Sequence, residues 1–457
     1  MWAPDGPCRA DVLVDGGQIA AIGESVTGGA DAETLDATGA HVVPGLIDVH
    51  VHVADRIGSY ELADDFASAT EVAIRNGVTT FFTFATQRPG EALAATVERY
   101  RARAAGECRC NVGLHLTPTA WPWDWSEVER LVARGLVTIK LYTTYREAGL
   151  FTSWERLEEV MRRLARSGLR LLLHCEDDDV LAATGNAGID LTDPFSHTTA
   201  RPAQAEVAAI RRALELAERT GCPLHVVHVS TAAGAELVGA ARGRAAVTCE
   251  TGPQYLLLSD ERLRGGGGHR FLCTPPLRDE ATRARMEELA AASAFDVLAT
   301  DHCAFRRADK DRWSGDYREV PNGLPGLGAL VPLAYELLVR RHGLGVGELV
   351  RCLAENPARL VGLYPRKGAL VVGADADIAV LDADGPERPV TATLAGAHDP
   401  WCDRTTRLAV RHVLLRGRRV AGEGALLAGV RPSGTWLSAR SRARNPRRGR
   451  EPALTTH

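Results

Sequence analysis

In the stretch Val43-Pro44-Gly45-Leu46-Ile47-Asp48-Val49-His50-Val51-His52, an apolar, β-branched run enters through a Pro-Gly turn and ends in two histidines one residue apart. Such a run reads as a short buried strand. Strand side chains alternate between faces, so His50 and His52 point to the same side. Two neutral imidazoles converging at a strand end form half of a metal site. Two satisfied core histidines are the bland alternative, and only a repeat of the pattern elsewhere separates the two.

Apolar runs of strand length do recur along the middle of the chain: Val78 to Phe84, Val112 to Leu116, Val137 to Tyr142, Leu169 to His174, Leu224 to His228, Ala246 to Glu250 and Val297 to Asp301. Helical patterns lie between most of them. Thr152 and Glu155 make a capping box ahead of Leu157, Val160, Met161 and Leu164, with Gly168 as the stop. Pro202 opens another helix, through Ile210, Leu214 and Ala217 to Gly221. Eight strands with crossover helices predict an α/β protein with a (β/α)8 TIM-type barrel at residues 44–366, whose chemistry collects at the strands' C-terminal ends.

Both chain ends carry a different, hairpin-rich pattern. Val12-Leu13-Val14 turns through Asp15-Gly16-Gly17 into Ile19 to Ile22. Ala369 to Val372 turns at Gly373-Ala374-Asp375 into Ile378 to Leu381, and His412 to Leu415 pairs with Arg419-Val420. Residues 1–43 and 367–432 are therefore expected to form one small β-sandwich domain. The segment 433–457, with six arginines between Arg440 and Arg450, reads as a basic, disordered tail.

Composition narrows the function class. The 457 residues are 45% hydrophobic and 25% charged, with a net charge of −4, which fits a globular chain and argues against a nucleic-acid partner. The N-terminus lacks the basic and apolar regions of a secretory leader, and no run is long enough to span a bilayer. Ten cysteines without a CxxC pair are no disulfide framework. Reduced thiols and a cytoplasmic location are expected, without a membrane partner.

The polar residues fall where a barrel puts its chemistry. The first strand ends in His50 and His52, the fourth holds Lys140, the fifth ends in His174, the sixth in His228 and the eighth in Asp301. Singly, each has a bland reading: a packed histidine, a snorkelling lysine, a helix-capping aspartate. Six residues of metal-ligand type at one set of strand ends point instead to a binuclear centre. Four imidazoles and an aspartate suit two Zn²⁺ ions in open sites. A buried ammonium beside two dications is badly placed unless carbon dioxide converts it to an N6-carboxylated lysine, which could bridge both metals. Water bridging the pair would ionise near pH 7, attack a carbonyl as hydroxide, and leave its proton to Asp301 for the departing nitrogen. His225 faces away along its strand and reads as packing, while His302 reads as either a support for its neighbour or a plain loop residue.

This set resembles the binuclear amidohydrolase superfamily, and within it the cyclic amidases: hydantoinase or dihydropyrimidinase, allantoinase and dihydroorotase. The likeness runs over roughly residues 10 to 435. Asp48-x-His50-x-His52 is similar to the superfamily's opening motif. Lys140-Leu-Tyr-Thr-Thr-Tyr145, Glu250-Thr-Gly-Pro-Gln-Tyr255, Thr274-Pro-Pro-Leu-Arg278, Thr300-Asp-His-Cys303, Pro321-Asn-Gly-Leu-Pro-Gly326 and Asn356 to Gly368 resemble hydantoinase segments. The resemblance implies that Tyr145 binds substrate and stabilises the oxyanion, and that Thr274 and Asn322 grip a cyclic amide largely through backbone groups. It also implies a homodimer or homotetramer acting on a small cyclic amide or ureide.

There are departures. Hydantoinases carry Ser at Thr274, Cys at Gly252 and Pro at Ala304, and the segments 53–62 and 146–151 follow no familiar version. Dihydroorotases place an Arg two residues after the second histidine, for their substrate's carboxylate, where this chain has Ala54. Hydrolysis of a hydantoin or dihydropyrimidine is expected first, allantoinase or dihydroorotase activity second. A non-catalytic scaffold related to dihydropyrimidinase is the rival from another class.

Overall fold

A strand that is apolar on both faces needs cover on both. The computed structural model describes residues 1–184 and 189–438. Seven of the apolar runs form continuous parallel strands there: Leu46–His52, Val78–Thr86, Asn111–Thr117, Thr138–Tyr142, Arg170–His174, Leu224–Val226 and Val247–Thr251. Each pairs with the next in sequence order. The eighth comes in two pieces. Val297–Leu298 pairs with the seventh strand and His302–Cys303 with the first, so the sheet closes into a barrel across this split strand.

Helices cover the outside. Trp154–Ser167 buries Leu157, Val160, Met161 and Leu164 and stops at Gly168, with φ 75°. Its cap is not the predicted Thr152: Ser153 accepts the Arg156 amide at 3.3 Å, while the Thr152 amide is spent on the Tyr142 carbonyl at 2.9 Å. Ala203–Thr220 follows Pro202 and buries Ile210, Leu214 and Ala217.

Both chain ends build the small β domain. His41–Pro44 lies at the edge of a five-stranded sheet beside Ile378–Asp382, followed by Ala409–Leu415, Arg418–Gly422 and Ala425–Leu426. The hairpin Asp11–Asp15/Gln18–Gly23 packs Ile19 against Leu370, Ala376, Ile378 and Val380. The predicted strand Ala369 to Val372 does not form. Its backbone finds partners only beyond it, where Gly373 donates to Ile19 and Ile19 to Ala374, and Val372 is left 64% exposed. Pro44 passes into the first barrel strand through Gly45, where a Cβ would collide with the Thr79 side chain.

The segment expected to be a tail from residue 433 is ordered at its start. Gly434 donates to Cys108, Val112 to Thr435 and Leu437 to Val112 at 2.7–3.0 Å, and Trp436 packs on the barrel core. Trp436 and Leu437 are apolar side chains that gain by leaving water. The Arg-rich stretch 440–450 lies outside the described residues. All ten cysteines are free, eight of them buried. Among the described residues no helix is long and apolar enough to cross a membrane.

Candidate active site

The barrel strands carry their polar termini to one mouth. His50, His52, Lys140, Tyr145, His174, His228, Thr274, Asp301 and Asn322 all line a single cavity of about 1040 Å³. Every site residue expected from the sequence is thus brought to one place.

His50 and His52 both reach Asp301: their Nε2 atoms lie 3.1 and 3.3 Å from its Oδ1. His174 Nδ1 lies 3.0 Å from His228 Nε2. One ligand-type atom from each of His50, His228 and Asp301 falls within 4.8 Å of the other two. Tyr145, His228 and Asp301 adopt φ of 66°, 37° and 50°. Non-glycine residues are strained there, and such strain is held where surroundings fix a functional conformation. The split eighth strand has the same cause: the chain leaves the ladder to turn Asp301 inward, while Thr300 bonds the carboxylate of Asp48 at 2.6 Å.

Charge and burial oppose one another across the site. Burial lowers the Lys140 pKa to about 8 against the pull of Glu250 and Asp301. The ammonium lies 5.3 and 5.0 Å from the Phe84 and Tyr142 ring centres and takes no carboxylate partner among the described residues. Burial also lowers His174 to about 4 and His228 well below its ordinary value, the latter with help from the His174 and Lys140 charges. Asp301 resists burial. The His50 charge and the bonds from His50 and His52 hold it far below the usual carboxylate range. Burial raises the Tyr145 hydroxyl above its ordinary value, keeping it a donor.

This donor set fits a pair of divalent cations. Neutral imidazoles with free lone pairs are what a metal needs; burial keeps His174 and His228 neutral, and the buried Nδ1 of His228 has no hydrogen-bond partner among the described residues. An uncompensated Lys140 beside them is the one group out of character, and it becomes an anionic ligand if carboxylated.

Behind the histidines stand Glu176, Glu250 and Arg201, to which the sequence assigned no role, and His225 and His302, which it read as packing and as a support or loop residue. Glu250 bonds His50 Nδ1, and its other oxygen lies 3.0 Å from His225 Nε2, so His225 supports a site histidine through a carboxylate. Glu176 lies 2.8 Å from His174 Nε2 and is itself gripped by Arg201. His302 is pinned between Asp64, at 3.1 Å, and the amides of Gly326 and Leu327. Glu250 opens one of the motifs quoted above and Glu176 stands two residues past His174, so both had a signal. Arg201, 25 residues further on, had none.

The loop after His52 forms a small hairpin, Arg56–Ile57 with Tyr60–Glu61, along the cavity rim. Ala54 begins it at φ 51°, Asp55 is tied to the Tyr100 hydroxyl, and Tyr60 donates to the Glu319 carbonyl at 2.8 Å. Arg88 and Arg318 share the rim.

Known proteins share this architecture. The D-hydantoinase of Streptomyces coelicolor is 34% identical over 427 residues, covering 91% of this chain and 88% of that protein. A D-phenylhydantoinase of Escherichia coli is 32% identical over 432 residues, 92% of each chain. A crystal structure of a D-hydantoinase superposes with a TM-score of 0.89 at 29% identity, covering 94% of this chain and 95% of that one. The pattern of the amidohydrolase family matches residues 41–420, and the chain belongs to that family.

Proposed function

We propose that this chain hydrolyses the ring C–N bond of a cyclic amide or ureide, of the hydantoin or dihydropyrimidine class. The observation that carries the reading is the convergence of His50, His52, Lys140, His174, His228 and Asp301 with Tyr145 at one barrel mouth. Its relatives, a D-hydantoinase and a D-phenylhydantoinase, support the same substrate class.

In this reading His50, His52, His174, His228, Asp301 and a carboxylated Lys140 would together hold two zinc ions. When bound, two zinc ions ease the ionisation of water and draw electron density from a carbonyl. The chain's own residues then have distinct tasks. Asp301, ionised at neutral pH, accepts the proton of the attacking water and delivers it to the nitrogen as the C–N bond breaks. Tyr145, kept protonated by burial, donates to the oxygen that gains charge. Backbone groups at Thr274 and Asn322 hold the ring. Ring opening gives a single product that carries a new carboxylate and the freed ureido or amide nitrogen, with one water consumed and one proton released to solvent.

A zinc-loaded preparation assayed against a hydantoin, a dihydropyrimidine, allantoin and dihydroorotate tests the reading. Ring opening of the first two is expected. Protein that purifies without stoichiometric zinc and opens none of the four is a scaffold, and the proposal fails.

A further inference from the structure

Behind the site, Arg201 touches both the support of a ligand-type histidine and the ring of Tyr145. Glu176 leaves the fifth strand two residues after His174 and is fully buried. Its Oε2 lies 2.8 Å from His174 Nε2. Arg201 closes on the same carboxylate: Nη2 reaches Oε2 at 2.5 Å, and Nε lies 3.1 and 3.2 Å from Oε1 and Oε2. The Arg201 guanidinium carbon also lies 5.1 Å from the centre of the Tyr145 ring, which is itself 5.1 Å from the His174 ring. Arg201 is in turn fixed through its carbonyl, which accepts Arg278 at 2.7 Å, while Arg278 also donates to Ser230 at 3.0 Å.

We propose that Arg201 is a positioning residue that sets His174, through Glu176, and Tyr145, through its own face, as one unit. The inference rests on the metal and Tyr145 roles proposed above. A neutral imidazole has one N–H and one lone pair. With its Nε2 proton given to Glu176, His174 must present its lone pair at Nδ1, the nitrogen on the side of His228. Glu176 can do this only as a carboxylate, and a fully buried carboxylate needs a compensating cation. Arg201 supplies it. The same planar cation rests against the Tyr145 ring, where a cation is favoured, and helps hold that residue in its left-handed conformation. A lysine could meet the charge requirement but offers neither the fork nor the flat face.

The separation of these two duties is the test. Arg201→Met and Arg201→Lys are made in the full-length chain. Zinc affinity is measured by competition with a chromophoric chelator, and kcat and KM are measured at saturating zinc on a hydantoin that the parent enzyme opens. Arg201→Met is expected to weaken zinc binding by about tenfold or more, the usual scale for a group behind a metal ligand. Arg201→Lys is expected to keep zinc affinity within about threefold while kcat/KM falls about tenfold, because charge is retained and the Tyr145 contact is not. If Arg201→Met does not fold, the double variant Arg201→Met/Glu176→Gln removes the uncompensated charge and should still bind zinc weakly. Zinc affinity and kcat/KM equal to the parent's in these variants, whatever their melting temperatures, would reduce Arg201 to a structural ion pair and overturn the proposal. A parent enzyme that binds no zinc and opens no ring overturns instead the reading on which it rests.

Discussion

If Lys140 is carboxylated as proposed, its burial sets how readily it takes up carbon dioxide. Only the unprotonated amine attacks CO₂, and burial disfavours the ammonium, so the lowered pKa enlarges the reactive fraction at every pH below it. With the pKa at about 8, about one-tenth of the amine is free at pH 7 and about one-hundredth at pH 6, against about four parts in ten thousand at pH 7 for an ordinary lysine. Carboxylation of the metal-free protein should therefore speed up about tenfold from pH 6 to pH 7 at fixed dissolved CO₂, then level off above pH 8. The perturbation is removal of metal and CO₂ by a chelator and degassed buffer. The assay is readdition of labelled CO₂ to the metal-free protein, following the mass added at Lys140. A rate that is flat between pH 6 and pH 8 would refute the link between burial and carboxylation. A rate still climbing about tenfold per unit between pH 8 and pH 9 would show an ordinary lysine.

Other expectations follow from the same geometry. Asp301→Asn should keep much of its metal and lose about 10²-fold or more in kcat, some 2.7 kcal/mol of barrier, and near-normal turnover would remove Asp301 from the proton path. Lys140→Ala should lose zinc and activity together, with partial rescue by a short carboxylic acid that fills the vacated space, and an alanine variant with both metals and full rate would end the bridging role. Dihydroorotate should be opened poorly, because Ala54 offers its carboxylate no fork and Arg56 is engaged with the Ser59 carbonyl at 3.2 Å; efficient turnover surviving Arg56→Ala would contradict this. Leu171→Ala, at a fully buried barrel position, should cost about 2–5 kcal/mol in denaturant unfolding.

The barrel and the convergence of its polar strand ends were legible because both rest on local rules. Apolar runs of strand length, separated by helices with glycine stops, leave few architectures, and alternation fixes that His50 and His52 share a face. What failed to show was set by contacts distant in sequence. Ser153 rather than Thr152 caps its helix: the Ser153 hydroxyl accepts the Arg156 amide, and Thr152 is held one residue back by its bond to Tyr142 across a loop. Ala369 to Val372 has a strand's composition but no neighbour to pair with until Gly373. Trp436 and Leu437 looked like the start of a tail because their partner strand, around Val112, lies more than 300 residues earlier. The clamp of Arg201 on Glu176 has no periodicity at all. His225 carried a misleading signal: its strand facing suggested packing, and only the third partner, Glu250, turns it into a support for His50.

The small domain's sheet also bears on how the chain is made. Val42 pairs with Val380, and Pro44 with Ile378, so a strand synthesised near the start waits for one near the end. At ribosomal speeds of 5–20 residues per second, the gap of about 340 residues keeps that strand's edge open for roughly 17 to 70 seconds. Throughout that interval it leads through a single glycine into the strand bearing His50 and His52. An unpaired strand edge is a template for pairing with a neighbouring chain, so the nascent protein is most exposed to aggregation before its last hundred residues emerge. Slowing translation should therefore lower the yield of soluble protein, and holdase chaperones present during synthesis should restore it more than the same chaperones added afterwards.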